Sequence, residues 1–426
     1  MIPMKTFHFH QEKTCGASIR LVAIADDLTG AFDTGVQFSK RGAKVRVVTG
    51  TSLTDDSLLA DVLVIDAETR HLPPSAAYGE TLRLARWAKE RSVNRFYVKT
   101  DSGLRGSIGA ALKAVMDATG TKLAAFVPAY PDMNRVTKDG CQWIDDVPLQ
   151  ESVFGQDLFD PVCASSVSAL IEPSGLRVSK VARGAAFETD DDAPTVALFD
   201  AETNEDLRSI AAMLKQIDCL TVTSGCAAFA AVLPEVLSLP NTMAEAPAVL
   251  PPLLVICGSL NPITRRQMER GEVAGGKRIT LTAPQLLEED YLQSDSGQAW
   301  LEKLRDVLKR RQTLLIDTFE QQMTRSDYAQ GNWERISAQM GRLLERLLSY
   351  REAEIYTPMI IGGDTLMGYL ARCSSPELTL EGEVAAGVVA FGLKSAGRER
   401  RMLSKSGGFG SPTLFMDMLC EKEQAR

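Results

Sequence analysis

Short apolar runs separated by longer amphipathic stretches constrain the fold of this chain more than any other feature. The apolar runs are rich in Val, Ile and Leu, and we expect strands at residues 21–25, 45–48, 62–65, 96–98 and 123–127. Helices are expected between them at residues 31–40, 75–90 and 107–118. Strands that cross over through helices build parallel sheets. The pattern therefore predicts an α/β fold with mostly parallel sheets flanked by helices.

The length of 426 residues predicts two domains, because single hydrophobic cores rarely grow beyond about 250–300 residues. Further strands are expected at residues 253–257, 313–316 and 359–361, and apolar positions 336, 340, 343, 344, 347 and 348 share one helix face. Repeated prolines at 236–252 disfavour regular structure and indicate a linker. We expect a disordered or additional tail at 1–18, a first domain at 19–235 and a second domain at 253–420.

Charge and residue counts exclude several classes of function. The formal net charge of −8 opposes attraction to nucleic acid and to anionic membranes. The uncharged, apolar stretch at residues 219–234 is shorter than the roughly 20 apolar residues of a membrane span. Residues 1–18 lack the apolar core of a secretory signal, so we expect a cytoplasmic protein. His71 is the one histidine outside that tail, which excludes a multi-histidine metal site. No other metal ligands are predicted from the sequence.

Two adjacent carboxylates follow the first predicted strand. Asp26 and Asp27 stand at the carboxyl end of that strand, where ligands collect in open parallel sheets. Adjacent acids repel each other, which raises one pKa toward the range of a general base, or they share a cation. In the alternative, structural interpretation, one of the two side chains only caps the helix that follows. Asp26 and Asp27 are the expected catalytic residues.

Cationic and hydroxyl side chains follow the next predicted strands. The segment 99–107 combines two cations with glycines that let the backbone approach a ligand, and amides at a helix start suit a carboxylate or phosphate. Arg70 offers a planar fork for a carboxylate, and the stiff proline loop after residue 127 positions further polar groups. Capped loops, a solvated arginine and a plain turn are the alternatives. The expected substrate-binding residues are Asp26, Arg70, Lys99, Thr100, Asp101, Ser102, Arg105, Asn134 and Arg135.

Glycine-dense loops give the second predicted domain a means of holding phosphates. Backbone amides in such loops cradle polyphosphates when a helix follows. No Gly-x-x-x-x-Gly-Lys-Ser/Thr motif is present, so the ordinary P-loop fold is not expected. Each loop taken alone is also compatible with a plain turn. The expected phosphate-binding residues are Ser259, Gly362, Gly363, Asp364, Thr365, Gly407 and Gly408.

Six stretches together resemble the four-carbon acid sugar kinase family over residues 19–419. They are, in chain order, IADDLTGAFDTG, KTDSGLRGS, VPAYPDMNRVTKDG, GSLNPIT, GGDT and KSGGFGSPTLF. The resemblance implies a sugar-acid-binding N-terminal domain, a nucleotide-binding C-terminal domain, and phosphorylation of a four-carbon aldonate at its terminal hydroxyl by ATP. By position, it implies that Asp26, Arg70 and residues 99–102 contact substrate. It likewise implies that Ser259, residues 362–365 and Gly407 contact ATP.

The form of the first stretch bears on the substrate within that family, whose members act on threonate, erythronate or 3-oxo-tetronate. With Leu28, the stretch is more similar to the threonate and erythronate members than to the 3-oxo-tetronate members, which have Phe at that position. The resemblance therefore implies a member of the threonate and erythronate group, and D-threonate is the expected substrate. D-erythronate and 3-oxo-tetronate are the alternative substrates.

Phosphoryl transfer requires alignment of the reactants and neutralisation of charge. We expect Mg²⁺ and the glycine-loop amides to hold the ATP phosphates, and Asp26 or Asp27 to take or orient the proton of the attacking hydroxyl. Arg70, Lys99 and Arg105 are expected to hold the substrate carboxylate. An aspartyl-phosphate phosphatase would need acids two residues apart rather than adjacent, and a non-catalytic sugar-acid sensor would leave the nucleotide loops without a purpose. A homodimer is compatible with the sequence.

Overall fold

The computed structural model describes residues 19–157, 160–187, 193–249, 251–319, 332–374 and 376–420, and the expected tail at 1–18 lies outside them. The strands of the first half are β1 (Leu21–Ala25), β2 (Val45–Thr49), β3 (Val62–Asp66), β4 (Phe96–Lys99), β5 (Leu123–Val127), β6 (Arg135–Lys138), β7 (Cys141–Ile144), β8 (Val147–Pro148), β9 (Arg177–Val181), β10 (Thr195–Phe199) and β11 (Val222–Gly225). The helices of the first half are α1 (Leu28–Ser39), α2 (Pro74–Glu90), α3 (Ile108–Thr119), α4 (Val167–Ile171), α5 (Asn204–Gln216) and α6 (Ala227–Val232).

The second half follows the same alternation before it ends in longer antiparallel strands. Its strands are β12 (Leu253–Cys257), β13 (Lys277–Thr280), β14 (Leu314–Asp317), β15 (Thr357–Ile361), β16 (Glu377–Ala385), β17 (Val388–Ser395) and β18 (Arg398–Lys405). Its helices are α7 (Pro262–Val273), α8 (Ala283–Leu287), α9 (Asp295–Lys309), α10 (Asn332–Leu348), α11 (Gly363–Leu370) and α12 (Leu414–Cys420).

Within the described residues, fifteen strands form one continuous sheet. The strands of the first half lie in the order β2-β3-β1-β4-β11-β5-β10-β9 and all pair parallel. In the second half β13-β14-β12-β15-β18 pair parallel, and β17 and β16 continue the sheet antiparallel. The predicted α/β fold, with two domains built on mostly parallel sheets flanked by helices, is confirmed.

The two halves are joined edge to edge, which the sequence pattern did not predict. Strand β16 of the second half pairs antiparallel with β2 of the first half, with Leu378 opposite Val47. Beside this seam, Phe32 of α1 packs edge to face against Phe391 of β17, with ring centroids 5.0 Å apart. One hydrophobic core therefore extends across both halves.

Local signals account for most of the helices and strands. Helix α1 begins three residues earlier than expected, at Leu28, because the Asp27 side chain accepts a hydrogen bond from the Gly30 amide and caps it. Strands β1 and β12 are buried along their whole length, as parallel strands covered by helices on both faces are. The apolar face predicted for α10 is buried in the core. Among the described residues, none of the helices has the length and apolar character that a bilayer crossing requires.

The parallel strands direct the loops of both halves to one edge of the sheet. Asp26 follows β1 and Lys99 ends β4, whereas Gly258, Gly362 and Ser406 follow β12, β15 and β18. Because parallel strands end on the same side, these loops converge. The fold thereby places the acidic segment of the first half and the glycine loops of the second half along a common edge.

Candidate functional site

A cavity of about 490 Å³ lies at this edge and is lined by residues of both halves. The first half supplies most of the lining, and the loop after β18 closes it with Ser406, Gly408 and Phe409. Helix α1 also contacts α11 directly, where Gly363 lies so close to Thr29 that an added Cβ would collide with the Thr29 hydroxyl oxygen. The sequence-predicted residues that line the cavity are Asp27, Arg70, Lys99, Asp101, Ser102, Arg105, Arg135 and Gly408.

A second cavity, of about 560 Å³, lies between β2 and α11, beside the pairing of β2 with β16. Its lining is mainly hydroxyl and apolar, and Arg46 is the one basic side chain among the described residues that form it. The acids after β1 and the glycine loops do not line it. We therefore place the chemistry in the first cavity, although the second is larger.

The Asp26 and Asp27 carboxylates are held by Arg70. The Arg70 guanidinium donates to both oxygens of Asp26 at 2.8 Å, and its third nitrogen donates to Asp27 Oδ2 at 2.5 Å. Asp27 Oδ1 accepts from the Gly30 amide at 2.7 Å, so this side chain caps α1 and lines the cavity at once. Burial raises the pKa of Asp26, and the Arg70 charge opposes that rise. The charge of Arg70 is therefore largely neutralised by the protein itself.

Asp101 and Arg105 form a second ion pair beside the first. Asp101 accepts from Arg105 Nε at 2.8 Å, and Arg105 Nη1 donates to Asp157 at 3.0 Å. Although burial opposes it, the guanidinium groups of Arg70 and Arg105 hold the pKa of Asp101 well below its usual range. Lys99 is buried beside this pair, and its Nζ donates to the Thr100 carbonyl at 2.8 Å. Arg105, like Arg70, is already paired with carboxylates.

Besides Lys99, whose ammonium donates to a backbone carbonyl, Arg135 is the cation of the cavity that lacks a carboxylate partner among the described residues. Its guanidinium stacks on the Phe154 ring, 4.9 Å from the centroid, and donates to Ser102 Oγ. The buried Arg135 Nε has no hydrogen-bond partner there. Burial lowers the pKa of Arg135, but a guanidinium remains charged at neutral pH. The arrangement leaves a buried positive charge available to an anionic ligand.

Besides Asp26, two predicted substrate residues do not line the cavity. Asn134 is exposed in a turn with a φ of 51°, and its carbonyl accepts from the Asp145 amide. Thr100 is buried at the end of β4, where its amide donates to the Gly225 carbonyl at 2.9 Å. Neither residue is among those that line the cavity. The structure thus brings together most, but not all, of the predicted substrate residues.

The glycine loops of the second half pack tightly against one another. A Cβ added at Gly407 would collide with Ser259 Oγ, and one added at Gly258 would collide with Thr365 Oγ1. The Thr264 hydroxyl donates to the Gly407 carbonyl at 2.5 Å, and Lys405 Nζ donates to the Ser406 carbonyl at 2.9 Å. These hydrogen bonds fix two carbonyls of the loop after β18, and glycine loops of this kind hold phosphates through their backbone amides.

Two charged groups border these loops. Lys405 ends β18 in a buried position, and burial lowers the pKa of its ammonium to about 8. Asp364 opens α11 with a side chain that reaches solvent. Partial burial in the cleft and the Asp27 charge raise the pKa of Asp364, and His71 and Arg70 oppose that rise. The Asp364 carboxylate therefore lies within electrostatic reach of the acids that follow β1.

Several cavity residues were missed by sequence reasoning. Phe154 has no local signal, because it reaches the site from an irregular loop after β8. Asp33 could have been found, since it is an acid one turn after Thr29 and Gly30 on a helix that is otherwise largely apolar. The missed residues that line the cavity include Asp33, Tyr130, Phe154, Cys226, Asn261, Ser406 and Phe409.

Two family models match one half of the chain each, and individual known proteins match nearly the whole chain. The family model described as a sugar-binding N-terminal domain matches residues 21–233, and the one described as a nucleotide-binding C-terminal domain matches residues 254–415. A Salmonella typhimurium protein named D-threonate kinase is 27% identical, and the match covers 94% of this chain and 98% of that protein. A Heliobacterium modesticaldum protein named D-erythronate kinase is 25% identical over 92% of this chain and 94% of that protein. The crystal structure of a Haemophilus influenzae protein, 20% identical, shares the fold with a TM-score of 0.71 over 94% of this chain and 99% of that chain.

Proposed function

This chain belongs to the four-carbon acid sugar kinase family, and from that premise we propose that it transfers the γ-phosphoryl group of ATP to the terminal hydroxyl of D-threonate. One observation carries the proposal. A single cavity joins the unpaired Arg135 of the sugar-binding half to the glycine loop after β18 of the nucleotide-binding half. D-erythronate is the second candidate substrate, because a relative of similar identity bears that name.

The sugar-acid carboxylate is assigned to Arg135. Its guanidinium presents a planar fork that matches a carboxylate, and Ser102 beside it offers a hydroxyl. The sequence alone favoured Arg70, Lys99 and Arg105 for this role. Because Arg70 and Arg105 already pair with aspartates, we propose that they keep the acids in place and that Arg135 binds the substrate charge.

The substrate hydroxyl is assigned to the acids after β1. Asp27 lines the cavity, and we propose that its carboxylate orients the attacking hydroxyl toward the nucleotide. Asp26 lies behind it and fixes Arg70 through both carboxylate oxygens. Lys99, at the same edge, contributes positive charge where the phosphoryl group passes between the two substrates.

The ATP phosphates are assigned to the loops that contain Ser259, residues 362–365 and Gly407 with Gly408. These loops suit a polyphosphate, because their glycines let the loops pack closely where a Cβ at Gly258 or Gly407 would collide, and backbone amides of such loops bind phosphates. Among the described residues no cluster of His, Cys, Asp or Glu forms a metal cage, and Mg²⁺ usually binds through one or two carboxylates together with substrate phosphates. Asp364 is the carboxylate proposed to meet Mg²⁺, whose charge would neutralise the phosphates.

An ADP-release assay with purified protein, ATP and Mg²⁺ tests the proposal. The panel contains D- and L-threonate, D- and L-erythronate and 3-oxo-tetronates, with the neutral sugar alcohol threitol as control. We expect ADP formation that depends on D-threonate, with mass spectrometry showing one phosphate ester per product. A phosphatase would release phosphate from the ester without ATP, and a sensor would bind a sugar acid without turnover. Either result, or equal turnover of threitol, would contradict the proposal.

Replacement of Gly363 by Ala should separate the two halves of the site. The new Cβ would collide with Thr29 Oγ1, so α11 cannot approach α1 as closely, and we expect kcat/KM to fall by about a hundredfold. Gly79→Ala is the matched control, because a Cβ at this helical position meets nothing within 4 Å. Adding Thr29→Ala to Gly363→Ala should restore part of the rate. Wild-type kinetics in Gly363→Ala would show that this contact is not needed.

A further inference from the structure

The Asp33 carboxylate lies in the shared cavity without a partner of its own. Asp33 is one turn beyond Thr29 on α1 and lines the cavity together with Thr29 and Asp27. No hydrogen bond or ion pair of its carboxylate is found within the described residues. An ionised carboxylate in such a partly buried position is costly, since burial removes water without supplying a hydrogen-bond partner.

The groups that face Asp33 come from every element around it. Lys99 of β4 is the positive charge that acts most strongly on Asp33, and the Lys99 ammonium lies against the first turn of α1, beside Gly30. The charges of Asp27, Glu383 of β16 and Arg70 also affect the pKa of Asp33. Burial, and to a smaller extent the charge of Asp33, raises the pKa of the Tyr130 phenol. Burial raises the pKa of Asp33 to about 7 against the opposing charge of Lys99, and Asp27 and Glu383 add to the rise.

The two acids after β1 are poorly suited to accept a proton. Both oxygens of Asp26 receive hydrogen bonds from Arg70, and Asp27 receives one from Arg70 and one from the Gly30 amide. Protonation of either would break an ion pair or a helix cap. The Asp33 carboxylate takes part in no ion pair and no helix cap among the described residues, so it can accept a proton without breaking either kind of contact.

We propose that Asp33 is the general base of the reaction and accepts the proton of the substrate hydroxyl. The inference rests on the proposed function. The hydroxyl oxygen forms a bond to the γ-phosphorus, the bond between that phosphorus and the β,γ-bridging oxygen breaks, and ADP leaves with the electron pair. The proton moves from the hydroxyl oxygen to an Asp33 carboxylate oxygen and passes to water when the product departs. A base that titrates near the working pH is best placed for this step.

The pH dependence of the wild-type protein gives the first test. We expect kcat/KM for D-threonate at saturating ATP to rise about tenfold per pH unit below pH 7 and to level off above it. Glu383→Gln removes a neighbouring negative charge outside the cavity lining, so this rise should move to lower pH while the plateau stays within about threefold. A flat wild-type profile from pH 5 to 7 would overturn the inference without any variant.

Asp33→Asn gives the second test. We expect kcat to fall by about a hundredfold to ten-thousandfold and the acidic limb to disappear, while calorimetric Kd values for D-threonate and for ATP change less than about threefold. Asp33→Glu should recover part of kcat. The role of Asp33 as base would be overturned by an Asp33→Asn variant whose kcat/KM still rises with pH below pH 7. It would also be overturned by a variant that loses sugar-acid affinity with kcat unchanged. Absence of sugar-acid-dependent ADP formation in the wild type would instead refute the proposed function, so the two failures are distinguishable.

Discussion

Replacement of Arg70 by Met is expected to lower the free energy of unfolding by about 3–5 kcal/mol and to abolish ADP formation. The guanidinium is almost fully buried between Asp26 and Asp27, and it also faces Asp101 at 3.9 Å. Its removal leaves buried carboxylates without compensation, and their mutual repulsion displaces the loop after β1. Urea denaturation measures the first effect, and the ADP-release assay measures the second.

A double-mutant cycle shows whether this loss belongs to the ion pair. Asp26→Asn alone should collapse turnover while ATP affinity persists, because the nucleotide loops lie in the other half. Asp26→Asn combined with Arg70→Met should be more stable than the sum of the single variants predicts, by about 1–3 kcal/mol. Strict additivity would contradict the pairing, and undiminished turnover in Asp26→Asn would remove Asp26 from the site.

The exposed pair of Arg208 with Glu205 provides a control for the loss of an arginine. Its members lie 3.2 Å apart on the surface of α5, where the Arg208 side chain is 50% exposed. Arg208→Met should change the free energy of unfolding by less than about 1 kcal/mol, because exposed ion pairs contribute little. Its ADP formation should equal that of the wild type. An equal loss in Arg208→Met and Arg70→Met would contradict the importance of burial.

Replacement of Arg135 by Gln is expected to lower kcat/KM for the sugar acid by about a hundredfold or more. Gln keeps a polar side chain beside Ser102 but removes the charge, so the substrate carboxylate would be buried without a cation. ADP release over a range of sugar-acid and ATP concentrations separates the effects. KM for ATP should stay unchanged, and the preference for D-threonate over threitol should largely disappear.

Two further variants sharpen this prediction. Arg135→Lys keeps the charge without the planar fork and should recover only part of kcat/KM. Arg105→Lys should mainly lower the free energy of unfolding, because contacts with Asp101 and Asp157 are lost, and it should have a smaller effect on sugar-acid selectivity. If Arg105→Lys abolished the preference for acids and Arg135→Gln left it intact, the carboxylate would have to be assigned to Arg105.

Much of the fold is readable from the sequence because its signals are local. Apolar runs predicted the buried parallel strands, and the apolar face of α10 predicted its packing in the core. Residue types that cap or turn the chain are local signals as well. Helix capping and a place in the ligand site were alternative interpretations of the acids after β1, and Asp27 both caps α1 and lines the cavity. The joining of β16 to β2 was not readable, because their pairing connects residues more than 300 positions apart in the chain.

The sequence by itself determined that acids and cations of the first half meet glycine loops of the second, since parallel strands send their loops to one edge. Only the tertiary structure decided which of those charges remain available. Arg70 is paired with an acid 44 residues away, and Arg105 with one 52 residues away, whereas Arg135 and Asp33 have no such partner among the described residues. Coulombic pairing depends on distances through space, and crossover connections set those distances independently of separation along the chain.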